Sequence, residues 1–402
     1  MAKTIAFFDI ECGIDSKKIY DIGAVKNRND IFHKSSAGDF AKFITNCEYI
    51  CGHNIIQHDI KYLNYSLGYS LAHKKIDTLY LSPLLFPKRP YHALLKNDKI
   101  QSDEFNNPVN DAKKAEVLFY DEINAFQILP DEIKEIYYAL LHKQAEFKDF
   151  FTYIGYKCNT DNVAYKIQSY FSGRICQNAP VKDFVINNPV ELAYALALIN
   201  TGDSSSITPP WLLNNYHGIE NIIRLLCNTL CREKCSYCSN FLDVKKALKK
   251  YFDFDNFRTY NGEPLQEMAA QAAVEEESLL AIFPTGGGKS LTFQIPALMA
   301  GNNARGLTVV ISPLLLLMCD KEAIEVQKIL PFLSDTWPLC RIGRAVIRAS
   351  QSCRQSCNKS QCPACGCRSH HSCTHAPQFS RSFPAREWGS VLQRQGACGQ
   401  CP

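Results

Sequence analysis

Apolar and polar residues change rhythm several times along this chain, and the changes divide it. Over residues 1 to about 125, densely apolar runs alternate with stretches whose apolar residues recur every three to four positions. "KTIAFFDIE" reads as a buried strand, and "FAKFITNCEYICGHN" as a helix running into a second strand. "DIKYLNYSLG" and "DAKKAEVLFYDEINAF" carry helical spacing, so this segment is expected to be an α/β domain. From 126 to 200 the rhythm is mainly helical, as in "DEIKEIYYALLHKQAEFKDFF" and "VELAYALALI". "NTGDSSSITPPW" is a Gly/Ser/Pro loop and marks a boundary, followed by a cysteine-bearing linker over 201 to 245. A second α/β unit is expected over 246 to 335, with Ser278 to Phe283 as a strand feeding a glycine-rich turn and a helix near Lys289. From 336 to 402 no apolar rhythm exceeds a few residues, which predicts a disordered, low-order tail.

Composition narrows the class. A chain of 402 residues has room for two or three domains, and 46% hydrophobic with 21% charged residues is ordinary for a soluble protein. The longest apolar run, "GLTVVISPLLLLMC", is broken by Ser312 and Pro313 and is too short to span a bilayer. The amino terminus lacks a signal-peptide pattern, so the expected location is cytoplasmic, with no membrane partner. A formal charge of +4 permits a nucleic-acid partner without arguing for one. Nothing in the sequence indicates the oligomeric state.

"FFDIEC" places Asp9 and Glu11 two apart on a strand, hence on one face. Two carboxylates so placed repel unless a cation lies between them, and hard divalent ions suit oxygen ligands. Two further acids follow. Asp59 opens a helix in "GHNIIQHDIKYL", and Asp111 starts another in "NNPVNDAKKAEVLF". The series Asp9, Glu11, Asp59 and Asp111 resembles the four carboxylates of DEDD-type 3′–5′ exonucleases with the DnaQ-like, ribonuclease-H-like fold, over roughly the first 125 residues. The resemblance implies that these four acids hold two Mg²⁺ or Mn²⁺ ions. One ion then activates the attacking water and the other stabilises the leaving 3′ oxygen of a nucleic-acid end. The chain departs from the family at the general base. The family has His five residues before the last acid, or Tyr four before it, and here Asn106 and Asn107 stand there. His53, His58 and His92 are the substitutes on offer.

"CNTLCREKCSYC" supplies Cys227, Cys231, Cys235 and Cys238, enough for a tetrahedral zinc site. Iron–sulfur ligation and unliganded cysteines in a helical linker remain the alternatives.

"AIFPTGGGKS" joins an apolar run to Thr285, Gly286, Gly287, Gly288, Lys289 and Ser290. Glycines let backbone N–H groups wrap phosphate oxygens, a lysine reaches the β- and γ-phosphates, and a serine ligates Mg²⁺. ATP with Mg²⁺ is therefore the expected ligand. The flanks resemble the entry of RecQ-type superfamily 2 DNA helicases. Phe254, Phe257, Arg258 and Gln266 stand where that family carries its element before the cradle, and "LTVVISPLLLLMCD" resembles the next element. The resemblance implies that Gln266 reads the adenine edge, that single-stranded DNA or 3′ ends are partners, and that the setting is DNA unwinding and repair.

No D-E-x-H follows, and no Q-x-x-G-R-x-G-R, so the chain is expected to hold the first part of one motor lobe and to lack unwinding activity. From 341 to 402 there are eight Arg, one Lys and one acid, Glu387. This break in composition favours out-of-frame translation or a fusion scar. The "CPAC" pair, with His370, His371 and His375, leaves a zinc or nucleic-acid-binding tail as the alternative. The leading expectation is an exonuclease-like domain fused to the start of a RecQ-like lobe. The alternative is a non-catalytic nucleic-acid-binding remnant with an inactive nuclease fold.

Overall fold

The computed structural model describes residues 3–13, 18–27, 30–94, 107–202, 208–284, 286–306 and 308. Five strands form one mixed sheet: β1 (Ile5–Cys12), β2 (Ile19–Lys26), β3 (Asp30–His33), β4 (Tyr49–Gly52) and β5 (Lys74–Asp77). Their order is β3-β2-β1-β4-β5. β1 pairs antiparallel with β2 and parallel with β4, so the strand bearing the two acids is central. Its alternation serves two cores. Ile5 and Phe7 face one, while Ala6, Phe8 and Ile10 face the other.

The second core is closed by α1 (Ala37–Ile44) and α2 (Asp59–Leu67) through Phe40, Ile44, Ile60 and Leu63. Ser36 caps α1 by accepting the Asp39 N–H. The first core is closed by α3 (Thr78–Leu85) and the long α4 (Pro108–Ile128). Asn107 caps α4 and Pro108 occupies its first turn, where a missing N–H costs nothing. α4 runs through residue 125, the boundary expected for the first domain.

A helical layer extends this first core: α5 (Asp131–Leu141), α6 (Lys148–Ile154), α7 (Val163–Tyr170), α8 (Val181–Asn187) and α9 (Pro189–Asn200). Leu192 through Leu198 of α9 are all buried, as befits a helix enclosed on every side. Then follow α10 (Pro210–Asn215), α11 (Ile219–Cys227), α12 (Ser236–Phe241), α13 (Val244–Phe252), α14 (Leu265–Val274) and α15 (Lys289–Ala304). The same apolar core continues to Phe257, Ile295 and Met299.

The expected second α/β unit looks different. Among the described residues after 240 there are helices and one isolated bridge, Tyr260 to Glu263, but no strand. Ser278 to Phe283 has no strand partner there, and Leu280 and Ile282 are 87% and 83% exposed. An apolar run becomes a strand only when a neighbour takes its backbone hydrogen bonds, and no described residue does so. The tail expected over 336 to 402 lies outside the described residues.

Candidate functional site

Asp9 and Glu11 sit on the face of β1 that α4 covers, and Asp111 is in the first turn of α4. Oxygens of these three carboxylates lie within 4.8 Å of one another. The approach depends on Gly23. It is the register partner of Asp9 on β2, and a Cβ there would stand 2.1 Å from Val109 N and 2.2 Å from Pro108 C. Without a side chain at Gly23, the start of α4 drops onto the sheet and carries Asp111 to the two acids. Lys114 Nζ lies 3.2 Å from Asp111 Oδ1 and offsets part of the gathered negative charge. The donor set, three hard carboxylate oxygens on rigid elements, fits a divalent cation.

Asp59 is placed apart from this trio. Its helix packs on the opposite core, and its carboxylate accepts the Ile10 N–H at 2.8 Å, between the two β1 acids. Burial raises its pKa, while His58, 3.2 Å away, and the Ile10 N–H pull in the other direction. Of the substitute histidines, His58 bridges Asp59 and Cys12, with Nε2 3.4 Å from Cys12 Sγ, and Asp59 raises its pKa. His53 bonds Thr78 Oγ1 at 2.9 Å, and burial lowers its pKa to about 4. His92 bonds Ser82 at 2.8 Å and is likewise lowered to about 4 by burial. Asn107 spends its side chain on the Val109 N–H, and Asn106 lies outside the described residues.

Four cysteine sulfurs also converge within 4.8 Å, but the set is Cys176, Cys231, Cys235 and Cys238. Cys227, expected as the fourth ligand, points elsewhere: it is buried at the end of α11 with its sulfur 3.6 Å from Arg174 O. Cys176 was not singled out from the sequence. It arrives from the loop between α7 and α8, tied down by its N–H to Leu226 O at 2.7 Å.

At the glycine-rich turn, Gly286 and Gly288 have φ of 76° and 70°, a region that favours glycine, and Gly288 caps α15. Lys289 and Ser290 therefore begin a helix whose N-terminal N–H groups face the turn, a suitable seat for phosphate. Three side chains brace the turn from behind. Arg258 Nη1 donates to Gly286 O at 2.8 Å, Gln266 Nε2 to Gly288 O at 2.8 Å, and Tyr260 Oη to Gly287 O. Gln266 also accepts the Arg258 N–H at 2.9 Å, so both ends of its buried amide are engaged within the chain. Phe257 is buried in the apolar core, and Thr285 lies outside the described residues. Tyr260 was missed, since it falls in the extra residues between Arg258 and Gln266.

With this geometry in view, residues 263–343 match the DEAD/DEAH box helicase family. The matched stretch holds the glycine-rich turn and the start of α15. The relatives it resembles are RecQ-like. It is 47% identical over 89 residues to the ATP-dependent DNA helicase Q5 of Mus musculus, covering 21% of this chain and 8% of that protein. It is 40% identical over 78 residues to the ATP-dependent DNA helicase RecQ of Synechocystis sp., covering 19% and 14%. It is 42% identical over 83 residues to the RecQ of Bacillus subtilis, covering 20% and 13%. The chain thus spans less than a sixth of the length of each of these three relatives. No solved structure matches the chain. Among the described residues no helix is long and apolar enough to cross a membrane.

Proposed function

We propose that this chain belongs to ATP-dependent DNA processing: a RecQ-like helicase segment that binds ATP with Mg²⁺, joined to an amino-terminal two-metal 3′–5′ exonuclease. The observation that carries the helicase reading is the braced turn Gly286 to Gly288 inside the RecQ-like stretch. The nuclease reading is supported by the convergence of Asp9, Glu11 and Asp111, with Asp59 held on the Ile10 N–H between the two β1 acids. Bound there, divalent ions would supply an activated water and charge stabilisation for a 3′ leaving oxygen. The protein's own part is to hold the acids on β1 and α4. The 402-residue chain has no D-E-x-H sequence, so it is expected to bind ATP without separating strands.

A second reading, a nucleic-acid-binding protein with an inactive nuclease fold, draws on Asn107, which caps α4 where a base would stand. The full chain with Mn²⁺ and a 3′-labelled single strand distinguishes the two. Release of terminal label that Asp9→Ala abolishes supports the nuclease. Strand binding with the label retained supports the second reading. For the ATP half, Lys289→Ala is expected to weaken nucleotide binding at least tenfold; unchanged binding would reject the cradle.

A further inference from the structure

We propose that Cys176, Cys231, Cys235 and Cys238 form a structural zinc site that staples the loop between α7 and α8 to the segment joining α11 to α13. The sulfur geometry is the first support. Cys176 Sγ lies 3.8 Å from Cys235 Sγ and 3.6 Å from Cys238 Sγ. Zn–S bonds of about 2.3 Å in a tetrahedron set neighbouring sulfurs about 3.8 Å apart, so the spacing is that of the edges of a zinc tetrathiolate. It is too long for a disulfide, whose sulfurs stand about 2 Å apart. It is too short for a four-iron cube, which interposes its own irons and sulfides between the cysteine sulfurs.

The second support is the set of N–H groups aimed at sulfur. Cys231 Sγ receives the Cys235 N–H at 3.3 Å and the Asn178 side-chain amide at 3.4 Å. Donors directed at a sulfur favour its thiolate form, the form that ligates metal. Cys176 and Cys238 are buried, whereas Cys231 and Cys235 are partly open, and an open cleft of about 370 Å³ beside Cys176 and Cys231 gives a metal or chelator a route in. All four positions are filled by protein, so the site is closed and structural, with no place for a reacting water.

The consequence is architectural. Cys176 belongs to the helical layer built on the sheet, while Cys231, Cys235 and Cys238 lead into α13, which packs beside α14 and α15 of the ATP-binding segment. Zinc would reinforce a connection that already has Cys176 N to Leu226 O and Cys227 Sγ to Arg174 O across it.

The test uses the full chain, expressed and purified without added metal and analysed by mass spectrometry for bound elements. About one zinc per chain is expected; neither metal, or iron in its place, overturns the proposal. Cys176→Ser is expected to lower zinc retention against a competing chelator by tenfold or more, and Cys227→Ser to leave it unchanged. The reverse pattern would assign the ligand to Cys227 and overturn it as well. Should Cys176→Ser not fold, cobalt replacement in the unaltered chain decides. The intense visible bands of a tetrahedral tetrathiolate are expected, and a weak six-coordinate spectrum refutes the site.

Discussion

Glu122 lies on α4 three turns beyond Asp111, wholly buried, and neither carboxylate oxygen has a hydrogen-bond partner among the described residues. Burial raises its pKa well above the ordinary 4.5, and the charge of Asp77 adds to the rise. A carboxyl group raised in this way keeps its proton in the folded state. Its contribution to stability is full below its unfolded pKa and is lost as pH rises towards the folded value, at about 1.4 kcal/mol per pH unit at most. Glu122→Gln removes the titration while keeping the shape. The melting temperature of Glu122→Gln relative to the parent should therefore climb as pH rises above about 5. A constant offset across that range would mean that Glu122 has a partner or titrates normally. His53 and His92, both lowered to about 4 by burial, act in the opposite sense. Their contribution is present above their ordinary 6.5 and is lost as pH falls towards 4.

The acid centre depends on two elements meeting, β1 and α4, and Gly23 sets their distance. Gly23→Ala pushes a Cβ into the backbone at Pro108 and Val109, where no flexible side chain can yield, so α4 must move. The cost is about 1–3 kcal/mol of stability, as for other overpacked positions. Asp111 moves with α4, so Mn²⁺ affinity should fall by tenfold or more in titration calorimetry. Gly38→Ala, on α1 with nothing within 4 Å of an added Cβ, is the control and should alter neither. If Gly23→Ala binds Mn²⁺ like the parent, the proposed route from Gly23 to the site is wrong. How much of this could be read from the sequence follows from the same elements. β1 and α4 were legible because Phe7, Phe8 and Ile10, and then Ala112, Ala115 and Phe119, repeat with strand and helix periods. Asp9 and Glu11 were placed on one face by the strand period, and Asp111 was picked out, like Asp59, by its order along the chain. Asp59 was found by its order along the chain, but its turn towards the Ile10 N–H depends on α2 packing on the far core, which no local pattern encodes. Cys176 was hidden for the same reason. Even Cys231, the first of its partners along the chain, is distant in sequence, and only the docking of the α7–α8 loop against the end of α11 brings them together. Ser278 to Phe283 shows the converse, since a strand-like sequence without a described neighbour forms no strand, and Ser278 to Ile282 are left exposed.

At the scale of the whole molecule, one apolar core runs from Ile5 and Phe7 on the sheet, through α4, α5, α9 and α11, to Ile295 and Met299 on α15. The connection is also polar. Arg305, just past α15, donates to Leu198 O at 2.5 Å and to Thr201 Oγ1 at 2.9 Å, at the end of α9. Elements that share a core tend to unfold together, and a ligand that binds only the folded form then stabilises all of them. ATP with Mg²⁺ at the braced turn should accordingly protect residues that it never touches. At a hundredfold excess over Kd the gain is about 2.7 kcal/mol, and the slowest amides, which exchange only through global opening, register it wherever they lie. Hydrogen exchange followed by mass spectrometry should show slower exchange on adding ATP with Mg²⁺ for β1 and β4 as well as for α14 and α15. In Lys289→Ala both effects should vanish together. Protection confined to residues 257–306, or a melt with two separated transitions of which ATP moves one, would show that the continuous core does not couple the two ends. ATP occupancy would then carry no information to Asp9, Glu11 and Asp111. If protection reaches β1, nucleotide binding and metal binding are linked through stability alone, and Mn²⁺ at the acid centre should in turn slow exchange in α15.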